Sequence, residues 1–287
     1  MLPSRFFLLA SASVVALAAS TLLTECSSTS TPTSAALVAP DTQPTVAVPP
    51  QTGPQAMVLG DFNARSVTYQ GKTYLFQVFL PRTYTPAKSW SIIMALHGSS
   101  TRGSDNTAQL KESLANYLRA QASVFPTVVI FPQAPVLTRQ SDFMPIAFAI
   151  LDQEMKELNG DPARVYLMGY SYGGYLAFDM GFTAPTRFAA IVTIGALFDR
   201  LVVPNYSSMT KSDINTAFAQ QLRGIPIWAF QGALDPFTPV ADARLVIDAL
   251  RAAGDNVTYT EVPNGGHDVV GTLWNPQFFS WLYAQHR

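Results

Sequence analysis

The sequence predicts an α/β fold, with a mostly parallel sheet covered by helices on both faces. Along residues 57–287, short apolar runs of strand type alternate with longer segments of helical periodicity. Turns rich in glycine, asparagine and proline separate them, as at 159–162 and 254–256. This alternation is typical of parallel strands joined by helical crossovers. The stretch is long enough to form one domain with a large core.

Each predicted element follows from its local pattern. Seven segments have the composition of buried strands: 73–80, 91–96, 127–131, 165–168, 189–194, 226–230 and 257–262. Five have helical periodicity: 106–122, 146–158, 172–183, 240–253 and 276–284. Pro145 suits the start of the second helix, where a missing N–H costs nothing. The longest polar connection, residues 196–224, contains a helix-like stretch at 214–222. It is equally compatible with a small cap over the end of the sheet and with a surface excursion.

The segment RVYLMGYSYGG, which runs from Arg164 to Gly174, predicts a buried strand that enters a sharp turn at Ser171. Gly169 and Gly173 flank the serine, as required where neighbouring backbones come too close for a Cβ. Gly174 lets the following helix pack tightly. The five-residue pattern alone is a weak signal, and its position between a strand and a helix strengthens it. Ser171 is therefore the candidate nucleophile.

A serine hydroxyl is a poor nucleophile at neutral pH and needs a general base. The chain has three histidines. His286 is next to the end of the chain, and His97 follows a strand that precedes the serine. His267 lies in a glycine-containing turn after the strand at 257–262, which suits a side chain that reaches across to another loop. We expect His267 to be the base; the alternative is an ordinary surface histidine.

Three aspartates compete to orient this histidine. Asp235 follows the apolar run 225–230 and is the favoured candidate. Asp199 follows the strand-like run 189–194, and Asp268 adjoins the histidine, where neighbouring side chains tend to point apart. A structural alternative remains, in which Asp235 only initiates the turn with Pro236.

The oxyanion that forms when a serine attacks a carbonyl requires fixed donors, and backbone N–H groups suit this role. The N–H of Tyr172, next to the nucleophile, is one candidate. The N–H of Ser99, in the loop after the strand at 91–96, is the other. For His97 in this loop we favour a bracing role, with direct catalysis as the alternative.

These motifs resemble those of the secreted α/β-hydrolases described as predicted peptidases, phospholipase/carboxylesterase-like proteins, and polyhydroxybutyrate-depolymerase-like or feruloyl-esterase-like enzymes. The similarity covers residues 57–287 through the segments 74–81, 96–98 with 102–106, 161–174, 225–232 with Asp235, and 266–268. The order Ser171, Asp235, His267 matches the order of the triad in this fold. The sequence departs from the family at Ser99 and Ser100, where relatives often have alanine and glycine, and at Trp274, which lies further from the histidine.

The resemblance implies that residues 57–287 form a catalytic domain. It implies a serine hydrolase that cleaves carboxylic esters through an acyl-enzyme and requires no metal or cofactor. A serine peptidase with the same triad and a non-catalytic surface-binding module are the alternatives. Tyr170, Phe198, Phe237 and Trp274 are candidates for an apolar substrate pocket, although each is equally compatible with the core.

Composition disfavours nucleic-acid binding, because charged residues make up only 13% and the net charge is −1. Residues 1–26 resemble an export leader, in which Arg5 precedes an apolar run. The leader allows cleavage after an Ala-Leu-Ala motif or attachment of a lipid anchor at Cys26, the single cysteine. Residues 27–56 are rich in Ser, Thr and Pro and predict an extended tether. We therefore expect a secreted, periplasmic or envelope-tethered protein that acts on a small or polymeric ester.

Overall fold

The computed structural model describes residues 57–287, so the predicted leader (1–26) and tether (27–56) lie outside the described residues. Eight strands form one sheet: β1 (Asp61–Tyr69), β2 (Lys72–Leu80), β3 (Trp90–Leu96), β4 (Val128–Pro132), β5 (Gly160–Tyr170), β6 (Ala190–Ile194), β7 (Ile227–Gly232) and β8 (Val257–Val262). The described residues also form six α-helices: α1 (Ser113–Gln121), α2 (Gln140–Glu157), α3 (Tyr172–Thr183), α4 (Lys211–Leu222), α5 (Val240–Ala252) and α6 (Pro276–Tyr283).

The sheet is mostly parallel, which confirms the predicted fold class. Its strand order is β1-β2-β4-β3-β5-β6-β7-β8. β2 pairs antiparallel with β1 and β4, while every pairing from β4 through β8 is parallel. The carboxyl ends of the parallel strands therefore lie along one edge, which is where such sheets bind ligands.

The core has two layers, one on each face of the sheet. Along β3, Ile92 and Met94 join the layer beneath α2 to α5, while Ile93 and Ala95 join the layer beneath α1 and α6. All seven residues of β3 are buried. Because both faces of the central strands are covered, these strands appear in the sequence as continuous apolar runs.

Three features differ from the sequence prediction. β1 was missed, because most of its residues are at least partly exposed and it lacks an apolar run. The helix predicted at 106–122 is interrupted: a short 3-10 helix covers Ala108–Lys111, Glu112 is extended, and α1 begins at Ser113. Pro145 does not open a helix, because α2 begins at Gln140 and the proline lies inside it.

The long connection at 196–224 is built into the core. It contains two short 3-10 helices, Arg200–Val202 and Tyr206–Ser208, followed by α4. α4 begins with a capping box in which Thr210 and Asp213 each accept a hydrogen bond from the other's backbone N–H. Phe218 of α4 is fully buried and stacks on Phe198, with ring centroids 3.7 Å apart. Within residues 57–287, no helix has both the length and the hydropathy needed to cross a membrane.

Asp179 of α3 is a buried carboxyl that accepts a hydrogen bond from the backbone N–H of Asp199, at 3.0 Å. Burial raises its pKa to about 8, and the nearby charge of Asp199 adds to the effect, although the hydrogen bond opposes it. The folded protein therefore holds this proton more tightly than the unfolded chain, in which the pKa of the carboxyl is 3.8. The stability that the neutral carboxyl contributes is complete below that value and is lost as the pH rises toward 8.

Asp179→Asn should remove this pH dependence while retaining the oxygen that accepts the hydrogen bond. We expect the free energy of unfolding of the wild type, relative to the variant, to fall progressively between about pH 4 and pH 8. Urea denaturation across this range measures it. Asp248→Asn, at a position where the side chain is 72% exposed, is the matched control. A constant difference between wild type and Asp179→Asn would show that Asp179 does not carry the proton.

Candidate active site

Ser171 lies in the turn between β5 and α3, in a strained backbone conformation. Its φ is 50° and its ψ is −118°. Two backbone hydrogen bonds hold the turn: the Ser171 N–H donates to the carbonyl of Ile194 at 2.9 Å, and the Gly174 N–H donates to the carbonyl of Ser171 at 2.8 Å. Because non-glycine residues rarely adopt a positive φ, the surrounding backbone must enforce this conformation.

The two flanking glycines are required by close backbone approach. A Cβ on Gly169 would lie 2.0 Å from the carbonyl oxygen of Gly173, and a Cβ on Gly173 would lie 2.1 Å from that of Leu96. Real Cβ atoms do not approach backbone atoms this closely, so alanine at either position would push neighbouring segments apart. The G-x-S-x-G pattern therefore encodes contact between β5, α3 and the end of β3.

A chain of hydrogen bonds links the candidate nucleophile, base and acid. The Ser171 hydroxyl lies 2.8 Å from Nε2 of His267, and Nδ1 of His267 lies 2.8 Å from Oδ2 of Asp235. The Asp235 side chain is fully buried, whereas that of His267 is 17% exposed. With Nδ1–H donating to the carboxylate, Nε2 is free to accept the serine proton.

Asp235 is held as a carboxylate by several donors. Its Oδ1 accepts the N–H groups of Phe237 and Thr238 at 2.8 and 2.9 Å. Its Oδ2 accepts Nε2 of Gln231 at 2.9 Å, besides the imidazole of His267. Burial acts to raise the pKa of Asp235, but the hydrogen bonds from Thr238, His267 and Phe237 outweigh it and hold the pKa below its usual value.

The competing aspartates have other partners. Asp199 accepts the N–H of Leu201 and caps the 3-10 helix at 200–202. Asp268 accepts the N–H of Val270 at 3.1 Å. Of the three candidate carboxylates, the structure brings Asp235 to the His267 ring.

The loop after β3 fixes the peptide unit that carries the Ser99 N–H. The carbonyl of Gly98 belongs to this unit and accepts hydrogen bonds from Nδ1 of His97 at 2.7 Å and from the Thr101 hydroxyl at 3.1 Å. In a trans peptide the N–H points away from the carbonyl, so these bonds also set the direction of the Ser99 N–H. The Tyr172 N–H is at the first position of α3, where no intrahelical carbonyl is available to it.

His97 braces this loop from the core side. Its Nε2 accepts the backbone N–H of Ala134 at 3.0 Å, while Nδ1–H donates to Gly98. Burial lowers the pKa of His97 to about 4. The positive charge of Arg102 also lowers this pKa, whereas the hydrogen bond to the Gly98 carbonyl raises it. The ring is therefore neutral at physiological pH, as this pattern of one donor and one acceptor requires.

The four predicted pocket residues lie in different surroundings. Tyr170 and Phe237 flank the imidazole of His267, with ring centroids 5.4 and 5.1 Å from it. Trp274 donates its Nε1–H to the Ser113 hydroxyl and lines a small cavity together with Tyr170. Phe198 is packed in the core against Phe218.

Sequence reasoning missed three supporting side chains. Gln231 donates to Asp235, and the Thr238 hydroxyl donates to the carbonyl of Gly195 at 3.1 Å, which ties the Asp235 loop to the end of β6. Glu112 accepts the Gly98 N–H at 3.1 Å and the Thr101 hydroxyl at 2.8 Å. In the sequence, the only indication of these roles is that Gln231 and Thr238 are polar residues within four positions of Asp235. Glu112 had none, because its contact depends on the break before α1.

Across the described part of the chain, no cluster of three or more His, Cys, Asp or Glu side chains is arranged to hold a metal ion.

Comparison with known proteins identifies the fold. The sequence model of the phospholipase/carboxylesterase family matches residues 139–274. A thermostable esterase is similar in structure, with a TM-score of 0.62 and 24% identity over 80% of this chain; this chain covers 64% of that structure's length. The feruloyl esterase module of Clostridium thermocellum has a TM-score of 0.58 and 15% identity, covering 72% of this chain and 82% of the module.

An acylaminoacyl peptidase of Pyrococcus horikoshii also matches, with a TM-score of 0.56 and 12% identity over 74% of this chain and 39% of its own. No curated protein sequence matches the chain. These similarities, together with the strand order and the turn at Ser171, show that residues 57–287 have the α/β-hydrolase fold.

Gly173→Ala should damage both stability and the alignment of the site, because the added methyl group collides with the backbone of Leu96. Overpacking of this kind costs about 1–3 kcal/mol. We expect the melting temperature to fall by roughly 5 °C or more. Gly271→Ala is the matched control, since no atom beyond its own local backbone and chain neighbours lies within 4 Å of the position of its added Cβ. Equal melting temperatures for the two variants would contradict the close-approach argument.

Proposed function

We propose that this protein is a serine hydrolase that cleaves carboxylic esters through an acyl-enzyme intermediate. The observation that carries the proposal is the unbroken chain from Ser171 through His267 to Asp235, with both contacts at 2.8 Å. Each group matches the chemistry of its role: a strained serine at a turn, a partly exposed imidazole, and a buried carboxylate that accepts Nδ1–H.

In the proposed reaction, His267 takes the hydroxyl proton of Ser171 as its oxygen attacks the ester carbonyl. Asp235 stabilises the resulting imidazolium, and the N–H groups of Ser99 and Tyr172 donate to the oxyanion. Collapse of the tetrahedral intermediate breaks the bond to the leaving alcohol, which receives the proton from His267. Water then attacks the acyl-enzyme with the same base, and Ser171 recovers its proton as the carboxylic acid leaves.

The choice of esters rests on the match to the phospholipase/carboxylesterase family over residues 139–274 and on the similarity to two esterase structures. The Tyr170 and Phe237 rings beside His267 favour an apolar acyl or aryl group near the scissile bond. A feruloyl-type ester or a polyester is compatible with these rings. We also propose, from the leader-like sequence at 1–26, that the enzyme is exported.

A serine peptidase is the second candidate, favoured by the structural similarity to the acylaminoacyl peptidase. Both reactions use the same triad and the same kind of intermediate, so the fold does not choose between them. An ester and an anilide of one acyl group distinguish the candidates, because they share the acyl-enzyme and differ in the leaving group.

Ser171→Ala should abolish hydrolysis of a p-nitrophenyl ester while the fold is retained, since removal of a triad nucleophile costs on the order of a millionfold in turnover. We expect the wild type to hydrolyse the ester and to leave the matching p-nitroanilide uncleaved, because a serine peptidase cleaves both whereas an esterase does not cleave the amide bond. Steady-state rates and circular dichroism measure both effects. Undiminished ester hydrolysis by folded Ser171→Ala would overturn the proposed nucleophile, and hydrolysis of the anilide that depends on Ser171 would favour the peptidase.

Asp235→Asn should keep the shape of the acid but stabilise the wrong tautomer of His267 and remove the charge that supports its imidazolium. Turnover should fall by about 10⁴-fold on the precedent of other triads. Asp199→Asn is the matched control, because Asp199 caps a 3-10 helix instead of contacting His267. If folded Asp235→Asn kept normal turnover while Asp199→Asn lost it, the acid would be misassigned.

A further inference from the structure

A second cavity lies between the connection at 196–224 and α5. Its volume is about 600 Å³, which is in the range of pockets that bind small molecules. Ser171, Asp235 and His267 are not among the residues that line it. Leu197, which lines the cavity, is two positions after Gly195 in the sequence. The Cα atoms of Leu197 and Gly195 are therefore at most about 8 Å apart. A Cβ added to Gly195 would lie 3.2 Å from Nδ1 of His267. The cavity is therefore separate from the triad but close to it.

Part of the cavity wall is apolar. Leu197 and Phe198 come from the segment after β6, Ile214 from α4 and Val246 from α5. Phe198, Ile214 and Val246 belong to the buried core, so this part of the wall is held rigidly by packing against the sheet. A ligand with an apolar body would bury surface here and gain about 25 cal/mol per Å² of apolar area removed from water.

Asn215 contributes a polar group to this wall. The residue is 7% exposed and lines the cavity. Its side-chain amide offers two N–H donors and one acceptor oxygen. An amide that lines a cavity of this volume can be satisfied by a polar group of a bound molecule.

The charged residues of the cavity leave one cation in excess. Lys211 and Asp242 pair with each other across it. Arg200 lies over the ring of Tyr206, 5.5 Å from its centroid, and has no acidic partner among the described residues. The neighbouring carboxylate of Asp199 accepts the N–H of Leu201. The Arg200 guanidinium is therefore available to an anion.

We propose that this cavity binds an organic carboxylate with an apolar body. The guanidinium of Arg200 would donate to the carboxylate, which it fits with two parallel hydrogen bonds. The Asn215 amide would donate from its NH₂ group, and the hydrocarbon body would lie on Leu197, Ile214 and Val246. This site is distinct from the proposed ester hydrolysis and does not depend on it, although a carboxylate is also the acid product of that reaction.

The proposal is tested by direct binding in the Ser171→Ala variant, so that no turnover is required. Hexanoate and hexanamide share one alkyl chain and differ in charge, and ligand-observed NMR titration measures the dissociation constant of each. We expect hexanoate to bind about tenfold or more tightly than hexanamide, and its affinity to fall as ionic strength rises. Equal affinities for the two compounds would overturn the proposal.

Variants then locate the site. Arg200→Ala, made in the Ser171→Ala background, should weaken hexanoate binding about tenfold or more, with Arg200→Gln as a second variant in case the truncation disturbs the loop. Arg251→Ala removes an exposed arginine at the far end of α5 and should leave binding unchanged.

Asn215→Leu should weaken hexanoate binding while the circular dichroism spectrum is retained. If both Arg200 variants bound hexanoate as tightly as Arg251→Ala, the carboxylate would lie elsewhere, as in the candidate oxyanion hole, and the proposal would fail.

Discussion

The tight turn at Ser171 is the constraint on which the rest of the site depends. A φ of 50° at a serine is an unfavourable conformation, and the protein sustains it through backbone contacts on both sides of the residue. Gly169 and Gly173 permit these contacts, because any side chain at either position would occupy space already filled by a carbonyl. The same contacts bring the end of β3, and hence the loop with Ser99, next to the turn.

The remaining groups converge because the sheet is parallel. β5, β7 and β8 all end at one edge, and the residues that follow them are Ser171, Asp235 and His267. Asp235 is fixed by two backbone N–H groups of its own loop, and the loop after β3 is fixed by His97 and Glu112. The polar network is therefore organised before any substrate binds, which is what electrostatic stabilisation of a transition state requires.

The sequence was sufficient to predict the parallel sheet, because buried central strands leave unmistakable apolar runs, as in β3. It was insufficient for β1, whose polar residues face solvent at the edge of the sheet. The break before α1 was missed because it depends on an extended backbone at Glu112, which local propensity does not reveal. Gln231 and Glu112 were missed because their contacts connect residues through tertiary packing. Ser171 was identified from its motif between a strand and a helix, Asp235 from its position after the run 225–230, and His267 by elimination among three histidines.

The most direct test of the central claim is to locate the covalent label left by a fluorophosphonate. This reagent reacts with a serine only where a base activates the hydroxyl and donors stabilise the developing charge, so it tests the whole constellation at once. Mass spectrometry of proteolytic peptides should place a single label on the peptide that contains Ser171. A label on another serine, or no label on folded protein, would contradict the assignment of Ser171, His267 and Asp235 as a catalytic triad.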